Sequence, residues 1–304
     1  MHWQTSRFTI DLTKPKIMGI VNVTPDSFSD GGAHVSARAA LLHCEQLIKD
    51  GADILDIGGE STRPGAQPLP LADELNRVLP VLREAVKLGV PISIDTYKAQ
   101  VMRAALDCGA DIINDVWALR QSGAQEAVDE HPRCGVVLMH MHGEPLSMQV
   151  SPMQEAPESE GGQGGVTPQV LRFLEQQMTI SLRHWAEKTQ EMATTASLAD
   201  PIELTPSTRL CIDPGIGFGK TVSQNFTLLR ELSQFKSLGC AVLAGWSRKS
   251  SLGAVTGLEL GQRMLPSVVA AVLAAQHGAH VLRVHDVQET AVGLKVLAAM
   301  QASS

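Results

Sequence analysis

The chain has 304 residues, 44% of them hydrophobic but only 4% aromatic, with a net charge of −7 and a mean hydropathy of +0.03. A core of that size must rest on Ala, Val, Ile, Leu and Met, as in parallel strands covered by helices, and the acidic balance argues against nucleic acid or an anionic membrane as partner. Five cysteines (Cys44, Cys108, Cys134, Cys211 and Cys240) form no C-x-x-C pair, which disfavours a zinc site and disulfides and suits a reducing cytoplasm. No signal peptide is expected from the opening residues, and no stretch is apolar for long enough to span a bilayer.

In chain order, residues 1–15 read as an N-terminal extension. Within it, 7–12 alternates apolar and polar residues, as a short strand or half of a hairpin would. Apolar, β-branched runs at 17–23, 54–58, 91–95, 111–115, 135–139, 209–213, 241–245 and 280–284 predict strands. Amphipathic stretches at 36–49, 71–87, 99–107, 124–130, 168–193, 223–234, 266–277 and 288–299 predict helices. Strict alternation implies parallel β-α units, and the count suits a single-domain (β/α)8 TIM barrel over 1–304. Gly51, Gly109 and Gly278 each follow a predicted helix and precede a strand, the place of a left-handed stop. Residues 151–167, with the run Gly161-Gly162-Gln163-Gly164-Gly165, read as a flexible insertion, and the polar stretch 194–208 as a second loop.

Polar residues gather where the predicted strands end: Asn22, Gly59-Glu60-Ser61-Thr62-Arg63, Asp95, Asn114-Asp115, His140, Asp213, Ser247-Arg248-Lys249, and Arg283 with His285. In a barrel these positions converge on one mouth, where such enzymes keep their active sites. Asp95, Asn114 and Asp213 are acceptors suited to a heterocycle with several N–H donors; Asp115 and Asp213 would alternatively cap the turns that follow them. Arg63, Arg283, His285 and Lys249 bring positive charge to the same rim of an acidic protein, as a site for a compact anion requires. The stretch 215–220, GIGFGK, lacks phosphate-loop spacing and reads as a turn allowing close ligand approach, with Phe218 as an apolar wall. The first loop, 22–32, is long for a β-α connection and rich in hydroxyls, carboxylates and glycine, as a lid over a charged ligand would be.

The segments IMGIVNVTPDSFSDGG (17–32), ILDIGGESTRPGA (54–66), ISIDT (92–96), IINDV (112–116), LMHMHG (138–143), IDPGIGFGK (212–220), GWSRKSSLG (245–253) and RVHDVQET (283–290) together resemble the dihydropteroate synthases, pterin-binding transferases of folate biosynthesis. That resemblance implies condensation of a pterin diphosphate with p-aminobenzoate, with Mg²⁺ as cofactor, and a homodimer formed through the last two helices. It implies that Asp95, Asn114, Met139, Asp213 and Lys249 hold the pterin. Asn22, Thr62, Arg63, Arg283 and His285 would hold the diphosphate, with Asn22 also on the metal. Phe28, Pro64, Phe218 and Ser250 would surround p-aminobenzoate. Lys249, Asp95, Asp213 and Arg63 would carry catalysis, and the site would be one that sulfonamides occupy. Tyr97 and Trp246 stand where smaller residues are common in that family, so both are expected to narrow the pocket mouth. A corrinoid methyltransferase barrel would share the deep Asp and Asn residues but needs no diphosphate site. A silent paralogue would have lost Asn22, Lys249, Arg283 or His285, and all four are present.

Overall fold

Two-residue alternation along each strand sorts side chains to opposite faces. Here it builds two apolar layers and one polar one. The computed structural model describes residues 1–23, 33–61, 65–144, 148, 150–154, 165–195 and 206–303. A hairpin of β1 (His2–Gln4) and β2 (Thr9–Asp11) comes first. Eight parallel strands follow: β3 (Lys16–Asn22), β4 (Ile54–Gly58), β5 (Ile92–Asp95), β6 (Ile112–Asp115), β7 (Gly135–Met139), β8 (Leu210–Asp213), β9 (Ala241–Ala244) and β10 (Val281–Val284). They close into a barrel in chain order, β10 returning to β3 with Arg283 opposite Met18.

Between and after the barrel strands lie α1 (Ala33–Asp50), α2 (Leu71–Ala85), α3 (Ala99–Asp107), α4 (Ala124–Asp129), α5 (Val166–Thr195), α6 (Val222–Arg230), α7 (Ser250–Thr256), α8 (Met264–Gln276) and α9 (Val287–Gln301). Helix α7 is missing from the sequence reading: it is short, and Gly253 lowers the helix propensity of its interior. The expected second half of the N-terminal hairpin is β1. The insertion expected at 151–167 ends in helix, because α5 begins at Val166; residues 155–164 lie outside the described set, as do 196–205 of the second expected loop. Gly51, Gly109 and Gly278 have φ of 106°, 100° and 102°, positive as their helix-to-strand positions require. No helix among the described residues is long and apolar enough to cross a membrane.

Outward-facing residues such as Val21, Ile57, Ile94, Ile113, Leu138, Ile212, Val242 and Leu282 pack beneath the helices. Inward-facing Met18, Ile54, Ile112, Val137, Cys211, Leu243 and Val281 fill the lower barrel, which the hairpin plugs with Trp3, Phe8 and Ile10. Trp3 Nε1 donates to the Arg209 carbonyl at 2.9 Å, so the indole is satisfied although wholly buried. Two residues further along β4, β6, β8 and β10 the inward side chains turn polar (Asp56, Asn114, Asp213 and Arg283), and that change of layer places the site.

Candidate active site

Ile20, Asn22, Asp95, Asn114, Met139, Asp213, Arg283 and His285, from six of the strands or their ends, line one cavity of about 250 Å³ at the C-terminal mouth. Glu60, Ser61, Gly217, Phe218, Ser247 and Lys249 add to its wall from the loops, and Ser250 from the start of α7. The three acceptors expected to converge therefore do so, together with Met139 and Lys249. Thr62, Arg63, Pro64 and Phe28, and the lid segment 24–32, lie outside the described residues.

Asp213 combines both readings that its position permits. Its Oδ1 accepts the Gly215 N–H at 2.7 Å, fixing the turn after β8, while the carboxylate lines the cavity. Burial pushes its pKa up, opposed by that backbone bond and by the charges of Lys249, Lys220 and Arg283. Asp115 is structural instead: its oxygens accept Trp117 N–H at 2.8 Å and Leu119 N–H at 2.7 Å, holding a turn in which Ala118 and Leu119 are left-handed. Burial drives Asp115 up to about 7, against those two hydrogen bonds.

Asp56 is a residue that sequence reading passed over. It lies mid-strand, wholly buried, and its Oδ2 accepts Arg283 Nε at 2.6 Å and Asn114 Nδ2 at 3.2 Å. Arg283 Nη2 donates to Asp95 Oδ2 at 2.6 Å. The guanidinium expected at the rim thus sits inside the barrel between two carboxylates, because β10 alternates inward from Val281 to Arg283. Burial raises Asp95 to about 7; Arg283 opposes this, while Asp56, Glu74 and Asp115 add to it. Arg283 itself is held charged by Asp56 and Asp95 despite its burial. The alternation from Ile54 was the available signal, since it makes the central Asp of ILDIG an interior residue.

At the rim, Ser247 Oγ accepts the His285 backbone N–H at 3.1 Å and lies 2.9 Å from His285 Nδ1. Lys249 Nζ stands 4.2 Å above the Phe218 ring, a cation–π contact that places the ammonium at the cavity wall. Glu60 is fastened from the β5–α3 connection. Tyr97 Oη donates to its Oε1 at 2.9 Å, and Lys98 pairs with its other oxygen and with Glu74 Oε2, the latter at 2.5 Å. Burial alone would depress Lys98, yet the two carboxylates raise its pKa.

Trp246 and Tyr97 both lie away from the expected pocket mouth. Trp246 does not narrow the mouth: it is buried against Phe226, ring centroids 5.2 Å apart, on the helix-facing side of β9. Tyr97 is half-buried and engaged with Glu60, outside the cavity lining. The glycines of 215–219 answer chiefly to backbone rather than to ligand. A Cβ on Gly215 would fall 1.8 Å from the His140 oxygen, and one on Gly219 2.3 Å from the His142 oxygen. Lys220 Nζ ties this loop to β7 by donating to the carbonyls of His140 (3.3 Å), Gly215 (2.9 Å) and Phe218 (3.2 Å), while burial pushes its pKa down to about 7. Asn225 accepts the Gly217 N–H at 2.8 Å and donates to Ser251 Oγ at 2.9 Å, joining the loops that carry Phe218 and Lys249.

Residues 18–285 match the family described as pterin binding enzyme. The chain belongs to that family. It is 44% identical to the dihydropteroate synthase of Neisseria meningitidis serogroup C, over 98% of this chain and 97% of that one. A Yersinia pestis dihydropteroate synthase in complex with a sulfonamide drug superposes with a TM-score of 0.84 at 37% identity, covering 99% of this chain and all of that one. The Xanthomonas albilineans dihydropteroate synthase in complex with 7,8-dihydropteroate gives 0.76 at 40% identity, over 97% and 96%. Among pterin-binding enzymes, then, its relatives are dihydropteroate synthases, which are transferases.

Proposed function

We propose that the chain joins 6-hydroxymethyl-7,8-dihydropterin diphosphate to p-aminobenzoate, giving 7,8-dihydropteroate and diphosphate. The observation that carries this reading is the convergence of Asp95, Asn114 and Asp213 with Met139 and Lys249 on one cavity whose rim holds His285, Ser247 and Ser250. The acceptors suit the N–H edge of a pterin, Met139 and Phe218 offer apolar contact to its faces, and the rim receives the leaving group and the amine.

In the step itself the methylene C–O bond breaks and its electron pair leaves on the diphosphate oxygen. The lone pair of the aryl amine forms the C–N bond, and the nitrogen's proton passes to solvent. The electron-rich pterin delocalises positive charge on the methylene, so bond breaking runs ahead of bond making, an SN1-like path. The protein's part is to hold the ring against Asp95, Asn114 and Asp213, to receive charge at Lys249 and His285, and to keep the amine in line. Arg63 and Thr62 would join this from the second loop, and Phe28 and Pro64 would flank the amine. Asn22, at the end of β3 and on the cavity wall, offers a neutral amide oxygen of the hard type that Mg²⁺ accepts beside diphosphate oxygens and water. The bound ion would supply charge neutralisation on the diphosphate.

Purified protein incubated with the pterin diphosphate, p-aminobenzoate and Mg²⁺ should release diphosphate and dihydropteroate in equal amounts. Lys249→Ala should lower kcat by about 10²-fold, the scale of losing one charge-stabilising group. Diphosphate release without dihydropteroate, or near-normal turnover in the variant, would refute the assignment. The exposed apolar stripes of α8 and α9 support a homodimer, and the net charge of −7 fits a small-molecule enzyme of the cytoplasm.

A further inference from the structure

Asp56 does not line the cavity, yet it touches two residues that do. An ionised carboxylate only accepts hydrogen bonds. Asn114 must therefore turn its NH₂ toward Asp56, which leaves the amide oxygen, the acceptor end, for the cavity. Asp56 also divides the Arg283 guanidinium: Nε goes to Asp56 and Nη2 to Asp95 Oδ2. Asp95 Oδ1 is buried with no hydrogen-bond partner, as is Asp56 Oδ1, and of the two carboxylates only Asp95 lines the cavity. If Arg283 were free to close on Asp95 with both edge nitrogens, that oxygen would be taken.

We propose that Asp56 is the positioning residue of the heterocycle site, orienting the Asn114 amide and sharing Arg283 so that Asn114 and Asp95 both present acceptor oxygens to the ligand. This rests on the cavity being a pterin site. It adds a residue that never meets the substrate but decides which atoms of two others do.

The test is Asp56→Asn in the full chain, with 6-hydroxymethylpterin binding measured by calorimetry and kinetics measured beside it. The neutral amide accepts less strongly, no longer dictates the Asn114 orientation, and leaves Arg283 to Asp95. Pterin affinity should fall at least about tenfold, and KM for the pterin diphosphate should rise, while KM for p-aminobenzoate stays within about twofold. The pH dependence supplies a readout that a merely structural role would not move. Charged and titratable groups around Asp95 come from every packed element: Asp56 on β4, Glu74 on α2, Asp115 on β6 and Arg283 on β10. Removing the Asp56 charge and committing Arg283 to Asp95 lowers the Asp95 pKa from about 7, so the acid limb of pterin binding should move to lower pH. A folded variant with unchanged affinity, or with an unmoved acid limb, overturns the proposal. Wild-type protein that binds no pterin sinks the underlying site reading instead. If Asp56→Asn does not fold, a wild-type crystal structure with the pterin decides. Asn114 meeting a ring N–H through Oδ1, with Nδ2 on Asp56, supports the role, and the reversed amide overturns it.

Discussion

Two aspartates at the ends of β6 and β8, with β7 between them, show how little residue type says without partners. Asp213 caps one turn through one oxygen, but its carboxylate belongs to the cavity. Asp115 spends both oxygens on backbone N–H groups and faces no ligand. Asp213→Ala should therefore abolish detectable pterin binding while melting within a few degrees of wild type, since it loses about 1 kcal/mol of turn hydrogen bonding. Asp115→Asn should bind pterin but lose about 1–2 kcal/mol of stability, because one of the two N–H groups meets a donor instead of an acceptor. The pH dependence separates them further. Asp115 titrates at about 7 when folded and near 4 when unfolded. The folded state holds the proton more tightly, so ionisation costs stability as pH rises through that window. Asp115→Asn should flatten the decline in melting temperature between pH 4 and 7. A variant that keeps the wild-type slope there assigns the decline to the other buried carboxylates.

At the scale of elements, the connection after β8 is fixed by contact rather than by its own propensity. Gly215, Gly217 and Gly219 have φ of 70°, 82° and 68°, and the first and third lie against carbonyls of the segment that follows β7. Lys220 then satisfies three carbonyls that the turn leaves inside. Phe218 and Gly217 are brought onto Lys249 as a result, so a structural turn sets the position of a cavity cation. Gly215→Ala should lose both pterin binding and several kcal/mol of stability, combining left-handed strain with a backbone clash. Measured by calorimetric melting and pterin titration together, a loss of binding at unchanged stability would mean that the glycine serves the ligand, as its sequence pattern alone suggested.

For the whole molecule, legibility in the sequence followed periodicity. Runs such as 54–58 and 135–139 are found as strands with those bounds, since apolar residues between turn signals leave no other element. The mouth was legible because polar residues at strand ends have no structural reason to recur around a barrel. Asp56 and the inward seat of Arg283 were not read, since a polar layer one step deeper shows only when each strand's alternation is followed from its buried end. Trp246 was misplaced for the converse reason: it stands just past β9, where sequence distance from Ser247 and Lys249 suggests the mouth but the side chain turns outward. The same alternation on helices bears on assembly. Leu265, Val269 and Leu273 on α8, and Val292, Val296 and Met300 on α9, recur every fourth residue and remain exposed, Leu265 by 67% and Val296 by 69%. Gly293 lets the two helices approach closely, for a Cβ there would lie 2.8 Å from Val272 Cγ2. The two stripes form an apolar surface on adjacent helices, of the kind that marks an interface, and a twofold axis would bury it against its own copy. Val269→Asp combined with Val296→Asp should shift the sedimentation coefficient from dimer to monomer while circular dichroism and the pterin site stay intact. A monomeric wild type, or a double variant that still sediments as a dimer, removes α8 and α9 as the interface.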